Sequence, residues 1–230
     1  MLGLSPLESE ALRLSLLVSC CAVVASLPLG ILAAWLLARR QFPGRILLDG
    51  LVHLPLVLPP VAVGYLLLLT MGRHGWIGAW LYRDFGISFV FHWQGAALAS
   101  AVMAFPLMVR AIRLSLESVD RGLEAAAASL GARPADVFFR VTLPLSLPGI
   151  VAGIILAFAR SLSEFGATIT FAANIPGQTR TLPMALYSVT QTVGGETEAA
   201  RLCAISIALA LMTLMASELL ARRLDRRLKG

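Results

Sequence analysis

Charge is scarce in this chain of 230 residues. Asp, Glu, Lys and Arg make up 14% of it, against about a quarter in an ordinary soluble domain. Lysine occurs once, at Lys229, so the net charge of +6 is carried by arginines strung between apolar runs. That placement reads as membrane-topology signalling rather than as a nucleic-acid surface. The three cysteines, Cys20, Cys21 and Cys203, lie inside apolar runs without C-x-x-C spacing, which argues against both a disulfide scaffold and a thiolate metal site. His53, His74 and His92 are scattered, with no paired metal-ligand spacing. There is no G-x-x-x-x-G-K-[ST] loop to hold ATP and no G-x-S-x-G turn to carry a nucleophilic serine. What is abundant is apolar side chain, at 58%. A soluble enzyme, a disordered tail and a secreted disulfide module are excluded, leaving an all-α membrane protein.

A spanning helix needs about 20 mostly apolar residues. Five stretches qualify: 12–37, 46–71, 93–109, 143–160 and 202–220. An odd number puts the termini on opposite sides. Thirteen basic residues follow the first, third and fifth stretches: Arg39, Arg40, Arg45, Arg110, Arg113, Arg121, Arg133, Arg140, Arg222, Arg223, Arg226, Arg227 and Lys229. Four (Arg13, Arg73, Arg83 and Arg180) fall on the other side. The excess predicts a cytoplasmic C-terminus and an extracytoplasmic N-terminus. The apolar run after Glu8 and Glu10 is longer than a signal-peptide core, so it is expected to be retained. Trp76, Trp80, Tyr82 and Trp93 suit an outer interfacial belt.

Pro55, Pro59 and Pro60 interrupt the second stretch, and Pro144 and Pro148 the fourth. Each removes a backbone donor and kinks a helix, which is tolerated at membrane depth only where neighbours satisfy the freed carbonyls. Both stretches are therefore expected inside a bundle. Gly149 and Gly153 have the spacing that lets helices approach closely.

The connection over 110–142, with a coupling loop at about 113–142, is far longer than two neighbouring spans require. Asp120 is placed to cap a short helix, Leu123, Ala126, Ala127 and Leu130 recur on one face, and Gly131 suits a left-handed exit. Pro134 and Asp136 then open a second helical turn. The expected product is a small-faced cytoplasmic knob that docks in a partner's groove. An interfacial helix lying on lipid is the alternative, for which the alanine face is weakly hydrophobic.

The run Glu124, Ala126, Ala127, Gly131, Val141, Leu143, Pro144 resembles the E-A-A, three residues, G, nine residues, I-x-L-P loop of ABC importer permeases. Two departures stand out: Glu124 precedes Gly131 by seven residues rather than six, and Val141 replaces isoleucine. The similarity covers nearly the whole chain and is strongest to the molybdate permease subgroup, through RRQFPGRILLDG, HLPLVLPPVAVGYLLL, FPLMVRAIRLSLESVD, ARSLSEFGATITF and NIPGQTRTLP. Tungstate and sulfate permeases share much of this pattern. The resemblance implies a type I importer permease fold in the inner membrane, and a homodimer in which Glu124, Ala126, Ala127, Leu130, Gly131, Val141, Leu143 and Pro144 form the coupling surface. Two ATP-binding cassette subunits would hydrolyse ATP with Mg, and a periplasmic protein would deliver the oxyanion. This chain would bind no cofactor, metal or nucleic acid and would not itself be an enzyme. An ATP-independent carrier or channel is the rival class, and no catalytic constellation supports a membrane-embedded enzyme.

Arg160 and Glu164 are the charged pair within the fourth stretch. Four residues apart on one helix, they would neutralise each other. Alternatively, Arg160 and Ser163, with Glu164 holding the guanidinium, would line an anion path or gate. Counted from Pro144, Arg160 would lie roughly 24 Å along the helix, towards the outer half of the bilayer.

Overall fold

The computed structural model describes residues 4–229, with side chains described for all of these except 217, 218 and 221–229 in the last helix. Met1, Gly230 and the basic side chains Arg222, Arg223, Arg226, Arg227 and Lys229, which weigh in the sidedness count, lie outside what is described. The described chain is helical, without strands. It opens with α1 (Pro6–Arg39), α2 (Arg45–Val57), α3 (Pro60–Met71), α4 (Trp76–Phe85) and α5 (Trp93–Ser118). The cytoplasmic connection of the sequence reading holds α6 (Arg121–Ser129), α7 (Pro134–Val137) and a π turn (Phe138–Thr142). The chain continues as α8 (Leu143–Leu145), α9 (Leu147–Leu162), α10 (Gly166–Ala172), α11 (Leu182–Thr190) and α12 (Glu196–Lys229).

Three described helices are long and apolar enough to cross a membrane: α1, α5 and the Glu196–Ala216 part of α12. The number rises to as many as five if each of two bent pairs makes one span. The stretch at 46–71, read from the sequence as one span, is broken, because α2 and α3 meet at 117°. Pro59 forces Leu58 out of the helical region, to ψ 142°, and Pro60 restarts the helix at its first position, where its missing N–H costs nothing. The fourth stretch bends by 66° at Ser146. There the Ser146 hydroxyl donates to Thr142 O at 2.9 Å, and the Ser115 hydroxyl of α5 donates to Ser146 O at 3.3 Å. A neighbouring helix thus satisfies the broken backbone, as the proline positions require.

The third apolar stretch extends beyond its expected end, since α5 continues to Ser118 and takes nine residues from the expected loop. It is the central post. Met108, Val109, Ile112 and Leu116 of α5 are fully buried between Ala34 and Leu37 of α1 and Ile150 and Ala157 of α9. Lower on α5, Ala99 and Met103 pack with Val63 of α3 and with Ala167 and Phe171 of α10. A smaller cluster joins Ala11 of α1, Leu182 and Ala185 of α11, and Leu202 of α12. α12 is otherwise sparsely covered, with 11% of its apolar window buried. Helix α4, at Trp76, and helices α10 and α11 were not resolved by sequence periodicity.

Both glycines of the small-residue pair face α5. A β-carbon at Gly149 would lie 2.1 Å from the Ser115 Cβ, and one at Gly153 would lie 3.0 Å from Met108 O. Gly149→Ala is therefore expected to push α9 off α5 and to destabilise the protein by about 1–3 kcal/mol, read as a lowered Tm in detergent. An unchanged Tm would contradict the close packing.

Candidate coupling surface and buried ion pairs

The knob forms where the sequence placed it. The Asp120 carboxylate accepts from Gly122 N–H at 2.8 Å and caps α6. Gly131 adopts φ +89°, a left-handed exit open to glycine and strained for other residues. No residue of α6 is buried. Its outer stripe is Leu123, Ala126 and Leu130, with Leu130 88% exposed, while Glu124 and Ala127 are half-buried and turn towards the rest of the chain. Of the remaining expected coupling residues, Gly131 and Pro144 are exposed and Val141 and Leu143 half-buried.

What fixes α6 in place is its single carboxylate. Glu124 Oε1 accepts from Arg39 Nη2 at 3.0 Å and from the Thr142 hydroxyl at 2.6 Å. The same Arg39 Nη2 donates to Val119 O at 3.2 Å. The Arg39 guanidinium therefore joins the last turn of α1 to the end of α5 and to the knob, and Glu124 carries the link on to the π turn. Sequence reasoning assigned Glu124 to the docking surface and missed this inward role, because Arg39 lies 85 positions away and no local spacing reveals the pair.

Arg160 Nη1 lies 2.7 Å from Glu164 Oε2. The expected contact is present, but the single-helix picture needs correction: α9 ends at Leu162, and Glu164 sits in the link to α10. There its other oxygen accepts from Ala167 N–H at 2.8 Å, satisfying a free donor in the first turn of α10. The Glu164 side chain is 1% exposed and that of Arg160 24%. Ser163 is exposed, and its hydroxyl donates to Arg160 O at 3.1 Å. With the bend at Ser146, Arg160 lies about 20 Å along α9 from Leu147 rather than 24 Å along a straight helix.

Two further ionic ties were not foreseen. Glu8, 1% exposed, completes a capping box with Ser5 and receives Arg201 of α12 on both carboxylate oxygens, at 2.8 and 2.9 Å. This pair and the Leu182 N–H to Ser15 hydroxyl bond of 2.7 Å lie at the end of α1 opposite the knob. Near the knob end, Arg113 of α5 bridges Asp49 of α2 at 2.9 Å and Glu117 at 2.8 Å, with His53 3.3 Å from Asp49. His53 Nδ1 is nearer still to the Asp49 backbone O, at 2.8 Å, so this side chain is engaged within its own helix. Among the described residues, no group of three His, Cys, Asp or Glu is arranged to hold a metal ion.

Residues 26–230 match the model of a family described as binding-protein-dependent transport system inner membrane component. The chain belongs to this family. Among its relatives, the molybdenum transport system permease protein ModB of Escherichia coli (strain K12) is 66% identical over 215 residues, 94% of both chains. The Haemophilus influenzae protein of the same name is 58% identical over 222 residues, 96% of this chain and 97% of that one. The sulfate transport system permease protein CysW of Synechocystis is 36% identical, covering 93% of this chain and 77% of its own. This transport component also shares its fold with a chain of the bacterial ABC transporter that imports the acidic polysaccharide alginate. The TM-score is 0.76 at 18% identity, over 96% of this chain and 80% of that one.

The ion-pair geometry ranks the variants of Glu164. Glu164→Gln retains an acceptor for Ala167 N–H, whereas Glu164→Ala removes it and leaves a largely buried guanidinium unpaired, a loss of about 3–5 kcal/mol. Thermal unfolding in detergent should rank wild type above Gln and Gln above Ala. Equal stability of all three would contradict the double role of this carboxylate.

Proposed function

We propose that the chain, as a single permease domain spanning residues 1–230, is the membrane-spanning subunit of an ATP-driven importer that translocates molybdate across the inner membrane. The observation that carries this reading is the 66% identity, over 94% of both chains, to a permease named for molybdenum transport, against 36% to one named for sulfate transport. In this reading the subunit is not an enzyme and binds no cofactor. It works as a homodimer with two cassette ATPases, which use ATP and Mg, and with a periplasmic protein that delivers the oxyanion.

The geometry supports a division of labour along the chain. The knob presents Leu123, Ala126 and Leu130 outward, a small apolar stripe suited to a groove in the ATPase. Gly131, Val141, Leu143 and Pro144 shape the approach to it, and Glu124 holds it to Arg39 and Thr142. Movement of the knob is thereby passed to α1, α5 and, through the π turn, α9. In this reading the knob end faces the cytoplasm and the N-terminus the outside, which the excess of basic residues in the sequence on the knob side supports. Poorly covered apolar faces, such as Ile46 and Leu47 of α2 and Leu214 and Met215 of α12, are left for lipid and the second copy. In the anion path, Arg160 supplies positive potential beside the exposed Ser163, with Glu164 orienting the guanidinium.

Ala126 is the sharper probe of docking, since Ala127 is half-buried against the permease. Ala126→Trp and Gly131→Val are expected to leave membrane insertion normal while the permease loses its ATPase on purification, or keeps it without linking hydrolysis to uptake. Normal co-purification and coupled uptake in both variants would sink the assignment in favour of an ATP-independent carrier.

Substrate identity is read separately, in proteoliposomes that contain the cognate ATPase and binding protein. Labelled molybdate uptake should resist competition by excess sulfate, and Arg160→Ala should slow it at least tenfold with the ATPase still bound. Efficient competition by sulfate would move the assignment to a sulfate permease. Full uptake by the double variant Arg160→Ala with Glu164→Ala would make that pair structural only.

A further inference from the structure

At the knob end of α1 a cleft of about 540 Å³ opens between α1 and the junction of α7 with the π turn. Its walls are Leu32, Trp35, Pro134, Phe138, Phe139 and Leu143, and its volume falls within the range of ligand-holding clefts. The aromatic wall is ordered edge to face. Trp35 and Phe138 lie 5.9 Å apart at 74°, and Phe138 and Phe139 lie 5.1 Å apart at 77°. π turns recur at functional sites, and here the two phenylalanines that line the cleft are its first two residues.

Arg40 also lines this cleft, its guanidinium 5.2 Å from the centre of the Trp35 ring. Among the described residues no carboxylate lies within ion-pair distance of Arg40, whereas Arg39, Arg113, Arg160 and Arg201 each have one. The exposed Arg133 and Arg140 belong to the segment that forms the opposite wall. An apolar slot capped by an unmatched cation therefore sits at the charged end of a membrane-crossing helix, the level at which acyl chains meet headgroups.

We propose that this cleft binds an anionic glycerophospholipid, with one acyl chain lying between α1 and the π turn and the phosphodiester on Arg40. An extended peptide would bring backbone donors and acceptors that these walls do not satisfy, and an acyl chain brings none. Occupancy would brace the back of the knob from the bilayer side. The inference concerns the lipid and stands whichever oxyanion is carried.

The test uses the purified permease–ATPase complex in native mass spectrometry, with phosphatidylglycerol or phosphatidylcholine of equal chain length as probe. Wild type should retain phosphatidylglycerol preferentially. Arg40→Gln should cut that preference about fivefold, the effect of about 1 kcal/mol for one arginine at an anionic surface, and Arg40→Lys should keep it. Leu32→Trp should expel both lipids, and Ala135→Leu does the same from the opposite wall should the first variant fail to assemble. A photo-crosslinker at position 32 should capture lipid. Equal retention of the two lipids by wild type, a preference unchanged in Arg40→Gln, retention that survives filling of the cleft, or a crosslink to a second copy or to the ATPase would each overturn the proposal.

Discussion

A carboxylate drawn into an apolar helix bundle must be met by a cation and by hydrogen-bond donors, because isolated burial of its charge costs many kcal/mol. This constraint organises the molecule. The buried Glu8 and Glu164 and the half-buried Glu124 each meet an arginine, and two of the three pairs join separate helices: α1 to α12 and α6 to α1. Asp49 and Arg113 add a tie between α2 and α5. The near-absence of lysine fits this use. A guanidinium is a planar fork that bridges two acceptors at once, as Arg39, Arg113 and Arg201 all do, whereas an ammonium is a compact, strongly hydrated point charge.

The consequence is greatest at the knob. Helix α6 buries no side chain, so hydrophobic packing does not determine where it sits. Its position follows from Asp120 at its start, the left-handed Gly131 after its end, and the Arg39–Glu124–Thr142 clamp between them. A surface held in this way leaves its small apolar stripe outward, and in the proposed function its displacement would pass through the Arg39 guanidinium to α1 and α5. The tight seat of α9 on α5, set by Gly149 and Gly153, would in the same reading carry that movement into the bundle.

The sequence was most informative where the chemistry is local. Proline positions foretold both helix breaks, and Asp120 and Gly131 marked the ends of the knob, because caps and breakers act within a few residues. Family membership was legible in the same loop. The angle at Leu58 was not, since a proline predicts a break without predicting that it reaches 117°. Helices α4 and α10 escaped notice, and a short helix over 182–191, where α11 lies, was left open, because such lengths are too short for apolar periodicity to stand out. The partners of Glu8 and Glu124 lie 193 and 85 positions away, so only the folded chain brings them together. Glu164 was paired correctly but placed on the wrong side of a helix end.

A charge exchange at the Arg39–Glu124 clamp tests most directly whether the knob is coupled through this pair. Oxyanion taken up per ATP hydrolysed is measured in proteoliposomes for Arg39→Glu, for Glu124→Arg and for the double exchange, with insertion checked in each. Both single variants should assemble with the ATPase and hydrolyse ATP while losing most of the coupled uptake, and the double exchange should recover a substantial part of it. Single variants that transport at the wild-type ratio would show that the knob does not depend on this ion pair.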